Sequence, residues 1–98
     1  MTIQKTLDNA VLTLTLEGRL DATTAPMLSE VVEKELSGVK KLILDFGFLE
    51  YVSSAGLRVI LTAQDLMDEQ GEMKVIRVNE TVMEIFEITG LVELLTIE

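Results

Sequence analysis

The chain has 98 residues, 48% apolar and 26% charged, with six Gly and a single Pro; that length gives one domain, residues 1–98, and the composition excludes disorder, collagen-like repeats and low-complexity linkers. Cys and His are both absent, which removes disulfides, thiol chemistry, the commonest general base and the commonest transition-metal ligand. Eight Lys+Arg against seventeen Asp+Glu leave a net charge of −9 without a basic cluster, so a phosphate backbone is repelled and no direct nucleic-acid partner is expected.

Asp8-Asn9 are turn residues tolerant of positive φ, and they separate Thr2–Leu7 from Ala10–Glu17. The second segment alternates Leu12, Leu14 and Leu16 with Thr13, Thr15 and Glu17, which predicts a half-buried strand and makes Thr2–Leu7 its hairpin partner. Gly18–Thr24 breaks the alternation. Thr23 or Thr24 is placed to cap a helix whose first turn accommodates Pro26, with Leu28, Val31, Val32 and Leu36 inward and Ser37-Gly38 as its stop.

Leu42-Ile43-Leu44 then forms a continuous apolar run, the signature of a strand covered on both faces and set near the middle of the sheet. Ser53 or Ser54 opens a second helix with Leu57, Ile60, Leu61 and Met67 inward, and Gln70-Gly71 stops it. Met73–Val78 reads as a further strand, and Asn79 caps a short helix carrying Val82, Ile85 and Phe86 that ends at Gly90. Val92–Ile97 reads as a last strand. The order β-β-α-β-α-β-α-β predicts an α/β domain: a mixed sheet of five strands, antiparallel in the opening hairpin, parallel elsewhere, with helices packed on it.

Several apparent signals carry no function. The longest stretches without a charge are eight residues, Asn9–Leu16 and Ala22–Ser29, far short of the ~20 apolar residues of a spanning helix. Met1–Lys5 opens no secretory signal, so a cytoplasmic location is expected. Asp45-Phe46-Gly47 spells the metal-binding triplet of protein kinases but lacks the catalytic loop and strand lysine that give it meaning. Asn79-Glu80-Thr81 matches a glycosylation acceptor, and a helix cap is the plainer reading. The glycines make no phosphate-cradling run, and the carboxylates are spread as a solvated surface.

One stretch stands apart. Phe48–Arg58 runs from a buried strand through a loop into a helix, at the carboxyl end of a strand where ligands and chemistry gather in open α/β sheets. Ser53 and Ser54 followed by Ala55 and Gly56 leave that helix N-terminus uncrowded, with unpaired N–H groups and a dipole that favours negative charge. Spacing alone says only that one serine caps the helix.

Three segments together resemble the STAS domain, and within it the bacterial anti-sigma factor antagonists: Gly18-Arg19-Leu20-Asp21, Val52-Ser53-Ser54-Ala55-Gly56-Leu57 and Phe86-Glu87-Ile88-Thr89-Gly90-Leu91. The resemblance implies partner switching that regulates transcription. The unmodified antagonist binds an anti-sigma factor that is also a serine kinase, and so frees the sigma factor. The kinase uses ATP to phosphorylate a serine at this helix start, the phosphoprotein lets go, and a metal-dependent serine phosphatase resets it. The family stretch reads Asp-Ser-Ser-Gly or Asp-Ser-Thr-Gly with the acceptor after Asp. Ser53 therefore takes the Asp position, Ser54 the acceptor position and Ala55 the second hydroxyl position, while Gly56 and Leu57 match. Ser53 removes a carboxylate beside the acceptor and adds a hydroxyl.

The resemblance implies phosphorylation at Ser54 and a partner surface of Asp21, Ser53, Ser54, Ala55, Gly56 and Leu57, with no cofactor and no catalysis by the chain itself, and helix geometry adds Arg58 to that surface. Arg58 lies four residues beyond Ser54 on one helix face and can fold back over a phosphate there. The alternative is a STAS scaffold that is never phosphorylated, or a module binding a nucleotide or lipid head group at the same helix N-terminus. A hydrolase using Ser54 as nucleophile fails, since no His or Cys is present and Lys40, Lys41 and Asp21 make no evident base.

Overall fold

Strand β1 (Thr2–Asp8) turns at Asn9, φ 57°, into β2 (Val11–Leu20), and the two pair antiparallel with Leu7 opposite Leu12 in a computed structural model that describes residues 1–98. Helix α1 (Ala25–Glu35) leads to β3 (Lys41–Val52), which lies parallel to β2. Helix α2 (Ser54–Gln70) returns the chain to β4 (Glu72–Ile76), parallel to β3. Helix α3 (Glu80–Thr89) and a 3-10 turn (Leu91–Glu93) follow. The sheet order is β1-β2-β3-β4, which puts β3 inside the sheet as its apolar run requires.

The core lies on one face of this sheet. Leu12, Leu14 and Leu16 of β2, Leu42, Leu44 and Phe46 of β3, and Met73 and Val75 of β4 are buried with Leu28, Val32, Ile60, Met67, Val82 and Phe86 of the helices. Each such side chain contributes about 1.5–3 kcal/mol by leaving water. On the other face Val11, Thr13, Thr15, Ile43, Lys74 and Ile76 are only half-buried. This corrects the expectation that Leu42-Ile43-Leu44 is covered on both faces. All three helices take the same side, and Ile43 is shielded only by neighbouring strands.

The expected fifth strand, Val92–Ile97, is also corrected: the sheet has four strands. Gly90 ends α3 in the left-handed conformation, φ 81°, as its C-cap role predicts. The chain then coils into the 3-10 turn and buries Leu91 and Leu95. The amides of Leu94 and Leu95 both donate to Leu91 O, so the segment bonds to itself. Only Thr96–Glu98 remains to reach β4, where Val75 and Ile97 form a single parallel bridge. β4 itself stops at Ile76 rather than Val78, because Arg77 turns out of the strand with φ 57°.

Candidate functional site

The end of β3 is tied to the end of β2 by the Ser53 amide, which donates to Leu20 O at 2.8 Å. There Ser53 takes an extended conformation, φ −90° and ψ 174°, and becomes the N-cap of α2. Its hydroxyl accepts from the Gly56 amide at 3.4 Å, a long capping bond. Ser54 is thereby the first helical residue, exposed and free of the capping duty. Ala55 is half-buried, Leu57 is buried, and Arg58 is exposed one turn beyond Ser54.

Gly56 has a steric reason to be glycine. A Cβ there would lie 2.6 Å from Leu20 Cγ and 3.0 Å from Leu20 O. Its absence lets α2 settle on the end of β2, and that contact brings Asp21 and the two serines to one end of the sheet.

Asp21 organises its own loop. Its Oδ1 accepts from the Thr23 hydroxyl at 2.7 Å, the Thr23 amide at 3.0 Å and the Thr24 amide at 3.2 Å. These bonds, the Thr23 hydroxyl first, hold the carboxyl below its ordinary pKa. Thr24 stands at the N-cap of α1 but does not cap it, which corrects that expectation for both threonines. Its hydroxyl instead accepts from the Asp21 amide and donates to Arg19 O, each at 2.8 Å. The loop that carries Asp21 is thus fixed from within. Asn79, by contrast, caps α3 as expected, accepting from the Val82 amide at 2.8 Å.

Charge around the site is sparse. Five of the eight cations pair with carboxylates: Lys5 with Glu35, Lys34 with Glu30, Lys41 with Glu72, Lys74 with Glu98 and Arg77 with Asp45. Arg19, Lys40 and Arg58 are left, and the two arginines stand at the Ser54 end. No three carboxylates converge to hold a metal ion, and no helix is long and apolar enough to cross a membrane.

The concavities lie elsewhere. A groove of about 600 Å³ runs between β1 and α1, and a hollow of about 320 Å³ borders α3. The end that carries Ser54 is an open surface, a shape suited to a protein rather than to an enclosed small molecule.

Sequence reading missed one cluster. Arg77 Nε and Nη2 donate to Asp45 Oδ1 and Oδ2, both at 2.8 Å, and the guanidinium sits 5.1 Å from the Phe48 ring centroid. Asp45 of the kinase-like triplet is an ion-pair partner, and Gly47 is the residue whose missing side chain admits the guanidinium. Only the unusual Asp in an apolar strand hinted at it.

A family model described as the STAS domain matches residues 2–98. The Bordetella bronchiseptica protein BtrV, named as an anti-sigma factor antagonist, is 39% identical over 77 residues, 76% of this chain and 66% of that protein. The chain therefore spans about two thirds of that relative's length. A Thermotoga maritima structure, described as an anti-sigma factor antagonist, superposes with a TM-score of 0.89 at 21% identity, covering 97% of this chain and 84% of its own. SpoIIAA in its unphosphorylated form superposes with a TM-score of 0.73 at 16% identity, covering 99% of this chain and 87% of its own. The phosphorylated form from Bacillus gives 0.69 at 17%, covering 99% and 91%. With the matched residues running nearly end to end and the fold shared over the same span, the chain belongs to the STAS domain family.

Proposed function

We propose that this protein is an anti-sigma factor antagonist that is switched off by phosphorylation at Ser54. The observation that carries the reading is the division of labour at the start of α2: Ser53 caps the helix, and Ser54 is exposed with its hydroxyl free. A phosphate on Ser54 adds about −1.5 to −2 charges where the helix dipole favours them by ~0.3–1 kcal/mol. The fold survives the modification, and release of the partner comes from charge and bulk at the contact surface. Arg58, one turn on and without a carboxylate partner, is the cation nearest in sequence to meet that phosphate.

The names of BtrV and of the SpoIIAA structures in two phosphorylation states support this reading. The unphosphorylated protein binds an anti-sigma factor serine kinase in the cytoplasm and frees the sigma factor. A metal-dependent serine phosphatase reverses the modification. The chain is the substrate of these enzymes rather than a catalyst. Asp21, Ser53, Ala55 and Arg58 form the surface around the acceptor, while Gly56 and Leu57, also expected there, are buried.

The test is to incubate the protein with ATP and each purified anti-sigma factor kinase encoded in its source genome, then map the phosphopeptide. Phosphate on Ser54 is expected, with Ser54→Ala binding permanently and Ser54→Asp binding weakly. Phosphate on Ser53 alone overturns the assignment of the acceptor. Absence of modification by every kinase favours the unphosphorylated scaffold or head-group module instead.

A further inference from the structure

The sheet face that carries no helix has a distinct construction at the Ser54 end. Two irregularities in the β2–β3 pairing each insert one extra residue into β3. From Thr15–Asp45 to Glu17–Phe48, β2 advances two residues while β3 advances three; from Gly18–Leu49 to Arg19–Tyr51, β2 advances one and β3 two. Asp45, Phe48 and Tyr51 consequently share the open face with Thr15, Glu17 and Arg19.

Both aromatics are covered by arginine, Arg19 at 4.5 Å from the Tyr51 centroid and Arg77 at 5.1 Å from that of Phe48. Holding Arg77 there requires three concessions. Its φ is +57°, a region non-glycine residues seldom enter. A Cβ at Gly47 would lie 2.5 Å from its Cζ. Asp45, with only 13% of its side chain exposed, is committed to its two nitrogens. Phe48 nevertheless stays 56% exposed.

We infer that Arg19, Phe48, Tyr51 and Arg77 form a second contact for the same anti-sigma factor that meets Ser54, a phosphorylation-independent anchor that takes an apolar side chain at Phe48 and a carboxylate at Arg19. The inference rests on the reading of Ser54 given above. Continuity argues for that occupant: Tyr51 precedes Ser53 by two residues, and the Ser53 amide is bonded to Leu20, next to Arg19. At most roughly 20 Å of extended chain separates Phe48 from Ser54, less than the roughly 30 Å width of the ~800 Å² patch that one partner covers. Charge argues the same way, because Arg19 and Arg58 are the two unpaired cations at this end and both call for carboxylates on one incoming surface. Arg, Tyr and Phe are also the residues enriched at the centres of interfaces. A second copy would instead bring −9 against −9.

The anchor and the switch are far enough apart to act additively. With the purified anti-sigma factor kinases of the source genome, titration calorimetry compares wild type, Phe48→Ala, Arg19→Gln, Ser54→Asp and Phe48→Ala/Ser54→Asp. Phe48→Ala is expected to weaken binding by about tenfold, and by a similar factor in the Ser54→Asp background. Arg19→Gln should weaken it by about fivefold and flatten its salt dependence. Ile88→Ala, at an exposed position on α3, is the control and should change nothing. Affinities of Phe48→Ala and Arg19→Gln within twofold of wild type, with Ser54→Asp still weakened, overturn the inference and leave the Ser54 reading standing. A fall in the solution mass of the free protein on Phe48→Ala would make this face a self-association surface and also overturn it. Wild type that binds none of the kinases removes the Ser54 reading and the anchor with it.

Discussion

Gly56→Ala tests the contact on which the whole site is built. The added methyl would lie 2.6 Å from Leu20 Cγ and 3.0 Å from Leu20 Cδ2 and Leu20 O. Carbon atoms rest about 3.5–4.0 Å apart, so roughly 1 Å must be recovered. Leu20 is fully buried and has no solvent to swing into, and its carbonyl is held by the Ser53 amide at 2.8 Å. Overpacking costs about 1–3 kcal/mol, and with Leu20 unable to move aside the upper part of that range, about 2–3 kcal/mol, applies. Alanine returns up to about 1 kcal/mol of helix propensity, so the net loss is about 1–2 kcal/mol. For a domain of about this size that lowers Tm by roughly 4–8 °C per kcal/mol. Calorimetry on both proteins measures it, with amide exchange at Ser53 expected to quicken as α2 lifts from β2. Gly56→Ala melting at or above the wild-type temperature would refute the close-approach argument.

The two side-chain caps should differ in worth. Asn79 accepts from Val82 at 2.8 Å and also donates to Leu49 O at 2.7 Å, whereas the Ser53 bond is 3.4 Å; urea titrations should give about 1–2 kcal/mol for Asn79→Ala and about 0.5 kcal/mol for Ser53→Ala, and equal losses would contradict the geometry. The Asp45 carboxyl is held below its ordinary pKa, chiefly by the Arg77 hydrogen bonds. Its stabilisation is therefore fully present above the unfolded value near 4 and is lost as pH falls through the lowered folded value. Asp45→Asn should be less stable than wild type by about 1–2 kcal/mol at pH 6, with the gap closing below pH ~4; a gap independent of pH would mean that the ion pair is not its source.

Local chemistry made much of this protein readable. The Leu12, Leu14 and Leu16 alternation, the positive-φ turn at Asn9, the caps at Ser53 and Asn79 and the left-handed stop at Gly90 each depend on residues within about four of one another. The start of α2 was legible for the same reason, but whether Ser53 or Ser54 capped it was not, and the structure gives the cap to Ser53 and leaves Ser54 exposed. Resemblance to the STAS family supplied the meaning of that position, which spacing could not.

Tertiary contacts decided the rest. Thr24 is a local exception: it looked like a cap, but its hydroxyl donates at 2.8 Å to Arg19 O, five residues back in the same loop. Val92–Ile97 has the composition of a strand, yet burying Leu91 and Leu95 in the core outweighed pairing along β4, and one bridge remained. Ile43 is as apolar as Leu42, but whether its face is covered depends on the side each helix takes. Asp45 and Arg77 are 32 residues apart in sequence, and only the parallel pairing of β3 with β4 puts the carboxylate beside the strand end from which Arg77 turns back. Hydrophobic period and capping act over one turn of chain, so the sequence displays them directly; the helix-free face and its two arginines come from packing between segments some thirty residues apart, where many arrangements share the same local pattern and the best-filled core selects among them.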